Sequence, residues 1–327
     1  MTTERRDLAL FPNQESATAL ISGLCPIGMN SFLHEQNVKT RLVLIILFLT
    51  LGLAIYAQSA QDNWSQIETR LNALLDGSTE QKRTALAEIR NLQAPRASIL
   101  AVPSLSDPDE IVRATAAAAV AWLDHEYAVR ILLPLLGDKK PFVRKEAAYA
   151  LGKIGSPNAA ASLTRLMSGD RDLEVRSAAA IALGKIGDYA ALDELVKVVE
   201  KKPAEDEEFL RRSAARSIGQ IFEGGSADNI ITVTPQNFLL PKFKSIRSDD
   251  HSARFVQPES VRRAATALAA IIRSSKEAED TRREAAFALG TIRRPESAEL
   301  FNSLLNSQDP YLAEISKEAL LKIEVRR

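Results

Sequence analysis

Cysteine, histidine and aromatic residues are scarce in this sequence, and its formal net charge is zero. With Cys25 as its single cysteine, the chain has neither a disulfide framework nor a cysteine-based metal site. Apolar residues make up 46% of the chain but aromatic residues only 6%. The core must therefore be built mainly from Ala, Leu, Ile and Val, which suits stacked helices better than a sheet. Lys plus Arg and Asp plus Glu both number 42, so there is no broad electrostatic attraction to nucleic acid, and we expect no nucleic-acid partner.

Candidates for catalysis and metal binding are few. The histidines are His34, His125 and His251. His34 precedes an apolar segment described below, and His125 belongs to a His-Glu pair that we expect in a solvated turn. Asp249-Asp250-His251 is a weak metal pattern, because three adjacent residues rarely converge on one ion. No nucleophile elbow, P-loop or dinucleotide-binding glycine motif occurs. We expect no catalytic residues, no metal and no cofactor.

The N-terminal region has the features of an export segment. Residues 1–38 are polar and mixed, and we interpret them as disordered or as an over-long start, with Met29 as an alternative first residue. Residues 39–60 comprise a basic flank, the uncharged stretch 42–57 and small residues that would permit cleavage after Ser59. The stretch would form a helix of about 24 Å, short of a hydrocarbon core of about 30 Å. A cleaved signal peptide and an uncleaved membrane anchor both remain open.

Either form of this segment sends the rest of the chain across a membrane, which in a bacterium means to the periplasm. Contact with the membrane is expected only through residues 42–57, and only if the segment is not cleaved. We interpret residues 61–327 as one repeat domain.

One sequence pattern recurs along that domain. VRKEAAYALGKIG at residues 143–155 returns as VRSAAAIALGKIG at residues 175–187, and looser copies begin at Ile111, Leu210 and Thr281. In a helix, the apolar residues of this pattern form one continuous stripe. Its alanines are too small to fill a core alone, but they let another helix approach closely. A unit that cannot close its own core and recurs about every 31 residues is typical of a solenoid.

Each unit pairs a shorter first helix with the alanine-rich second helix. Pro103 and Pro134 lie inside first helices, where each should produce a kink. In three successive units an aspartate stands six residues ahead of an arginine, and we expect each aspartate to cap its second helix. These pairs are Asp107 with Arg113, Asp138 with Arg144, and Asp170 with Arg176.

Together these features resemble the HEAT repeat in its short, bilin-lyase-type form. The resemblance implies an all-α fold, a right-handed α-solenoid of about seven HEAT-like helix pairs with one insertion between repeats. It also implies that Asp107, Arg113, Asp138, Arg144, Asp170 and Arg176 form a structural ladder of hydrogen bonds between neighbouring repeats. The aspartate–arginine pattern is lost towards the C-terminus, where Glu205 and Lys276 replace the aspartate and Ser316 replaces the arginine. We expect the ladder to weaken there.

Residues 224–257 interrupt the repeat period. Insertions in repeat arrays form loops on one face, often a binding face, and this one is far longer than a turn requires. The alternative is a loop that packs its phenylalanines on the solenoid and has no further role. Its candidate partner-binding residues are Phe238, Lys242, Phe243, Lys244, Arg247 and Phe255.

The sequence thus favours a non-catalytic scaffold for protein–protein interaction, exported or anchored to a membrane. It would bind a protein partner through the concave face formed by the second helices and through the 224–257 insertion. The alternative is an enzyme or enzyme subunit of lyase type, related to the bilin lyases. A purely structural spacer is a third possibility.

Overall fold

The computed structural model describes residues 47, 49–50, 63–202, 204–223 and 258–324. The chain divides into two compact units, Met1–Glu68 and Thr69–Arg327. In the first unit, residues 63–68 are helical, and the indole N–H of Trp64 donates a 2.8 Å hydrogen bond to Glu68. Most of the predicted signal or anchor, residues 39–60, lies outside the described residues. Within the described ranges, no helix combines the length and apolar character that crossing a bilayer requires.

The second unit is a succession of helix pairs, and its described residues contain no strand. Helical residues 69–75 precede the first long helix. The α-helices that follow are α1 (Thr79–Leu92), α2 (Pro95–Ser98), α3 (Glu110–Ala119), α4 (His125–Leu132), α5 (Pro141–Ile154), α6 (Ala160–Gly169), α7 (Leu173–Ile186), α8 (Leu192–Glu200), α9 (Glu208–Phe222), α10 (Pro258–Arg273), α11 (Glu279–Ile292), α12 (Ala298–Leu304) and α13 (Pro310–Glu324).

The first helices are short and continue into 3₁₀ turns. Helix α2 is followed by a 3₁₀ segment, Ile99–Ser106, that contains Pro103, and α4 by another, Leu133–Gly137, that contains Pro134. Proline lacks the N–H that an α-helix needs at its interior positions, so the chain tightens locally. In both repeats the proline, expected to kink the first helix, thus lies in a 3₁₀ segment that follows the α-helix.

The odd-numbered helices α1 to α13, named here the second helices, pack against one another in chain order. Their alanines and leucines form the buried core. Helices α9 and α11 are direct neighbours, and so are α8 and α10, although residues 224–257 separate them in sequence. The predicted all-α solenoid is confirmed, and the insertion leaves the stack of repeats unbroken.

Glycines in the last turns of the second helices allow the close packing. A Cβ atom on Gly152 would lie 2.6 Å from the backbone of Ala182 in α7, and one on Gly219 would lie 2.9 Å from the backbone of Ala288 in α11. Both distances are too short for a real contact. These glycines are therefore sites of close approach between helices. The helix ends are instead marked by Gly155, which adopts a positive φ of 73°.

The prediction that Asp107, Asp138 and Asp170 cap the second helices was wrong. The cap of α3 is Asp109, whose carboxylate accepts hydrogen bonds from the first backbone N–H groups of the helix. Asp107 lies two residues earlier and accepts the backbone N–H of Asp109 at 2.9 Å. Asp170 has the same relation to Asp172, the cap of α7. This turn leaves the second carboxylate oxygen of each ladder aspartate available to a neighbouring repeat.

Candidate functional site

The predicted ladder positions lie at the contacts between consecutive repeats. Arg113 donates to both carboxylate oxygens of Asp138, at 2.9 and 3.0 Å, and to the backbone carbonyl of Asp107 in its own repeat. Arg144 makes the same bidentate contact with Asp170, at 2.7 Å for each bond. One guanidinium thus ties its own turn to the turn of the next repeat, and a planar fork fits a carboxylate in this geometry.

The ladder continues beyond the units where the aspartate is replaced. Arg176 donates to Glu207 at 3.1 Å, and Arg211 pairs with Glu277 across the insertion, although both acids are shifted from the positions that the aligned spacing indicates. At the last contact the pattern changes: Arg282, at the ladder position, donates to the backbone carbonyl of Ile272, and its neighbour Arg283 bonds Asp309 at 2.8 Å instead. At the N-terminal end, the ammonium of Lys82 holds Asp107 at 2.7 Å.

Ladder side chains are largely hidden from solvent and bonded to each other. The side chains of Arg144 and Asp170 are only 16% and 6% exposed. Burial alone would raise the pKa of Asp170, but hydrogen bonds from Arg144 and the backbone N–H of Asp172 outweigh burial and hold that pKa below its usual value. Because their donors and acceptors are already engaged, these residues hold the repeats together and offer little to a ligand.

The solvent-exposed side chains of the second helices differ between the N-terminal and the C-terminal ends of these helices. Near the helix N-termini, partly exposed apolar side chains recur at the same repeat position: Ile111, Phe142, Phe209 and Tyr311. Cations lie over the three aromatic rings, for example Lys145 over Phe142 at 5.3 Å and Arg212 over Phe209 at 5.1 Å. The same cations reach acids of the next repeat, as in the 2.7 Å contact of Lys145 with Glu174. This part of the face is electrostatically balanced.

Four cations of the second helices influence one another electrostatically, and we name them the cation row: Arg90 in the last turn of α1, Lys153 and Lys185 in the last turns of α5 and α7, and Arg216 near the middle of α9. The repeat of α3, which lies between α1 and α5, contributes no cation to the row and carries Trp122 at the position equivalent to Lys153. Lys153 and Lys185 occupy equivalent positions in the two most similar copies of the repeat. Their helices are direct neighbours. Arg216 is ion-paired with Glu284 at 3.1 Å. Among the described residues, neither lysine of the row forms an ion pair.

The other cations of the row influence the two lysines. Partial burial lowers the pKa of Lys153, and the charges of Arg90 and Lys185 lower it further. Burial also lowers the pKa of Lys185, with a further contribution from Arg216. A helix C-terminus favours a cation, which explains the residue type in the last turns of α5 and α7. The helix dipole does not explain why the row brings like charges together.

An aromatic ring lies beside the row. In the preceding repeat, Trp122 occupies the position that corresponds to Lys153. The ammonium of Lys153 lies 3.9 Å from the centre of the indole ring of Trp122. The indole N–H is buried and has no hydrogen-bond acceptor among the described residues. This cation–π contact holds the ammonium of Lys153 over the ring, and the residue remains exposed.

A cavity of about 600 Å³ opens between α8, α9 and α10. Most of its charged wall residues pair with one another: Arg211 with Glu277, Arg263 with Glu200, and Arg262 with Glu259, while Lys201 and Lys202 also line it. It is therefore a weaker candidate than the cation row for binding a charged ligand.

Sequence reasoning placed partner binding elsewhere. The six predicted residues Phe238, Lys242, Phe243, Lys244, Arg247 and Phe255 lie outside the described residues, as does His251. His125 is exposed at the start of α4, after the capping residue Asp124. The cation row was missed, although aligning the repeats shows a lysine nine residues after the ladder arginine in two successive copies.

Comparisons with known proteins agree with this architecture. Residues 100–183 and 166–234 match the family model of HEAT repeats, and residues 281–307 match the PBS lyase HEAT-like repeat. The comparison with curated proteins found no match.

Several solved structures resemble the chain. An engineered protein is 21% identical, with 79% of this chain and 68% of that chain covered and a TM-score of 0.48. The complex of CpcE and CpcF of phycocyanin lyase from Nostoc sp. PCC7120 is 18% identical, with coverage of 77% and 93% and a TM-score of 0.43. Human deoxyhypusine hydroxylase in complex with glycerol is 17% identical, with coverage of 82% and 99% and a TM-score of 0.34. At these identities and TM-scores, none of the three indicates what this chain binds. The family-model matches show that the chain carries HEAT repeats.

Proposed function

We propose that this protein is a non-catalytic scaffold that binds a partner protein through the face of its second helices and through the 224–257 insertion. The observation that carries the proposal is the side-by-side packing of the second helices, which aligns equivalent side chains of successive repeats into rows. A partner lying across several repeats could contact such rows at many points, each contributing modestly.

The contacts between repeats support this role. Bidentate arginine–carboxylate rungs and glycine-mediated close packing hold consecutive second helices in one arrangement. A binding face that is already rigid loses little conformational entropy when a partner docks. Exposed aromatic side chains such as Phe142 and Phe209, which are 40% and 45% exposed, are suitable anchors for a protein surface.

The test is capture of binding partners by the full chain, compared with a variant in which a short flexible linker replaces residues 224–257. Because α9 and α11 pack directly on each other, we expect the variant to keep its helical circular dichroism signal. A defined protein that binds the full chain and not the variant would place recognition in the insertion. Equal capture would place it on the second helices. Failure of both forms to bind any protein would refute the scaffold function.

The alternative activity has a separate readout. A lyase-type enzyme related to the bilin lyases should bind a tetrapyrrole, with a change in its absorbance spectrum. A saturable spectral change with the full chain would replace the scaffold proposal by the lyase one.

We further propose that the protein is exported, or anchored in a membrane by residues 42–57. The proposal rests on the basic flank, the apolar stretch and the small residues of 39–60. The mass of the protein purified from its native cells tests it. A mature chain that begins near Ala60 indicates a cleaved signal, whereas an intact chain in the membrane fraction indicates an anchor. An intact chain in the soluble cytoplasmic fraction would refute both.

A further inference from the structure

We propose that the cation row, Arg90, Lys153, Lys185 and Arg216, binds an extended acidic peptide segment of the partner protein, with two successive carboxylates of the peptide placed against Lys153 and Lys185 at its centre. This inference deepens the proposed scaffold function and rests on it. It names the chemistry of the partner and places the contact on the second helices.

The first argument is the lack of compensating charge. Neither Lys153 nor Lys185 forms an ion pair among the described residues. Lys185 is half-buried and Lys153 is exposed, and desolvation together with neighbouring cations lowers the pKa of both. Such an arrangement disfavours the charged state of each lysine. An anion placed between the lysines would relieve both the repulsion and the loss of hydration.

The second argument is geometric. Packed helices lie about 8–10 Å apart, so equivalent residues such as Lys153 in α5 and Lys185 in α7 are spaced by about this distance. A peptide in the polyproline II conformation rises about 3.1 Å per residue and has three residues per turn. Side chains three residues apart therefore point the same way and are separated by about 9 Å. A peptide that crosses the second helices with an acidic residue at every third position would match the spacing of Lys153 and Lys185.

The third argument separates a peptide from a dense polyanion. The whole chain has no net charge, so it provides no long-range attraction for nucleic acid. Acidic groups also flank the row. Glu146 is subject to the charge of Arg90, and Glu284 holds Arg216. Regularly spaced carboxylates can reach the cations that lie between these acids. A continuous line of phosphates would come close to the acids themselves and be repelled by them.

The fourth argument is preorganisation. Lys153 is stacked on the indole of Trp122, which limits the motion of its side chain. Lys185 lies beside Gly184, against which the next repeat packs closely through Ser217. A cation that is already positioned loses less entropy on binding than one on a free surface side chain.

The probe is a short fluorescein-labelled peptide with glutamate at every third position, separated by proline and glutamine. Its binding to the full-length protein is measured by fluorescence anisotropy at low and at physiological salt. We expect saturable binding that weakens as salt rises, because the contacts are partly exposed ion pairs. A peptide of the same composition with its glutamates clustered at one end should bind at least about tenfold more weakly.

The decisive variant carries Lys153→Met and Lys185→Met, which remove both charges and keep unbranched side chains of similar length. We expect it to lose about tenfold or more in affinity for the spaced peptide. The control is Lys197→Met on the first helix α8, where, within the part of the chain that the structure describes, the exposed lysine pairs with Glu194 of its own helix alone. It should bind as the parent does. Circular dichroism checks that all three proteins keep the same fold.

The outcomes separate the inference from the scaffold function. Equal binding of spaced and clustered peptides, or equal binding by the double variant and the control, would overturn the inference. It would also be overturned if a single-stranded oligonucleotide of the same charge bound as tightly as the spaced peptide. If a partner protein is captured equally well with and without the two lysines, the inference fails and the scaffold function stands. If neither a peptide nor a partner binds, both fail.

Discussion

The ladder rung that bridges the insertion offers the sharpest test of how these repeats are held together. Arg211 in α9 is 2% exposed and Glu277, just before α11, is 6% exposed, so the pair is buried. The Nη1 atom of Arg211 also donates to the backbone carbonyl groups of Val198 and Lys201. Replacing Glu277 by Ala removes both acceptors of Nε and Nη2 and keeps the two carbonyls.

The expected loss follows from this geometry. Removing one partner of a buried ion pair costs about 3–5 kcal/mol, because the remaining charge stays buried without compensation. Since Arg211 keeps two backbone acceptors, we expect Glu277→Ala to lower the free energy of unfolding by about 3 kcal/mol, the lower end of that range. The matched control is Glu200→Ala. Glu200 pairs with Arg263, and both side chains are more than one third exposed, so the loss should be about 0–1 kcal/mol.

Urea denaturation followed by circular dichroism measures both losses. Hydrogen exchange should show lower protection in α10 and α11 for Glu277→Ala, because the rung joins these helices to the preceding repeats. A double variant with Arg211→Met and Glu277→Leu should recover most of the stability, since an apolar pair leaves no buried charge. Equal losses for Glu277→Ala and Glu200→Ala would refute the argument that burial makes this rung important.

The remaining predictions concern packing, pH and capping. Gly152→Ala should destabilise the fold by about 1–2 kcal/mol in a thermal melt, because the new methyl group meets the backbone of Ala182 and the cost of overpacking exceeds the gain in helix propensity. Gly137→Ala is the control and should cause no loss of stability, since nothing lies within 4 Å of the new methyl group. The folded-state pKa of Asp170 is depressed, so its stabilising contribution should be complete above about pH 4 and should be lost as pH falls through the folded pKa. Asp170→Asn should therefore flatten the dependence of stability on pH below about pH 4 and should leave that dependence unchanged near neutral pH. Asp172→Ala should cost about 1 kcal/mol in urea denaturation, because it removes the cap of α7, and an unchanged midpoint would contradict that assignment.

Some of the candidate site could have been read from the sequence, and some could not. Lys153 and Lys185 recur at one repeat position, so an alignment of the repeats places them on the same face of adjacent helices. The partial burial of Lys185 and the influence of Arg90 and Arg216 on the two lysines depend on how neighbouring helices turn towards each other. These side chains come from several repeats, and no local pattern links them. The insertion proposed from the sequence as a binding element remains a prediction.

The sequence by itself determined the helices, the repeat period, the breaks at Pro103 and Pro134 and the close approach of the alanine-rich helices. Each of these depends on neighbours within one or two helical turns or on one recurring unit. Only the tertiary structure decided which acid completes each rung of the ladder. Arg113 meets Asp138 at a separation of 25 residues, and Arg211 meets Glu277 at 66. The lengths of the turns and the rotation of each helix about its axis decide which residues form such long-range pairs. A small change in either can move the partner by one residue while the repeat pattern stays the same.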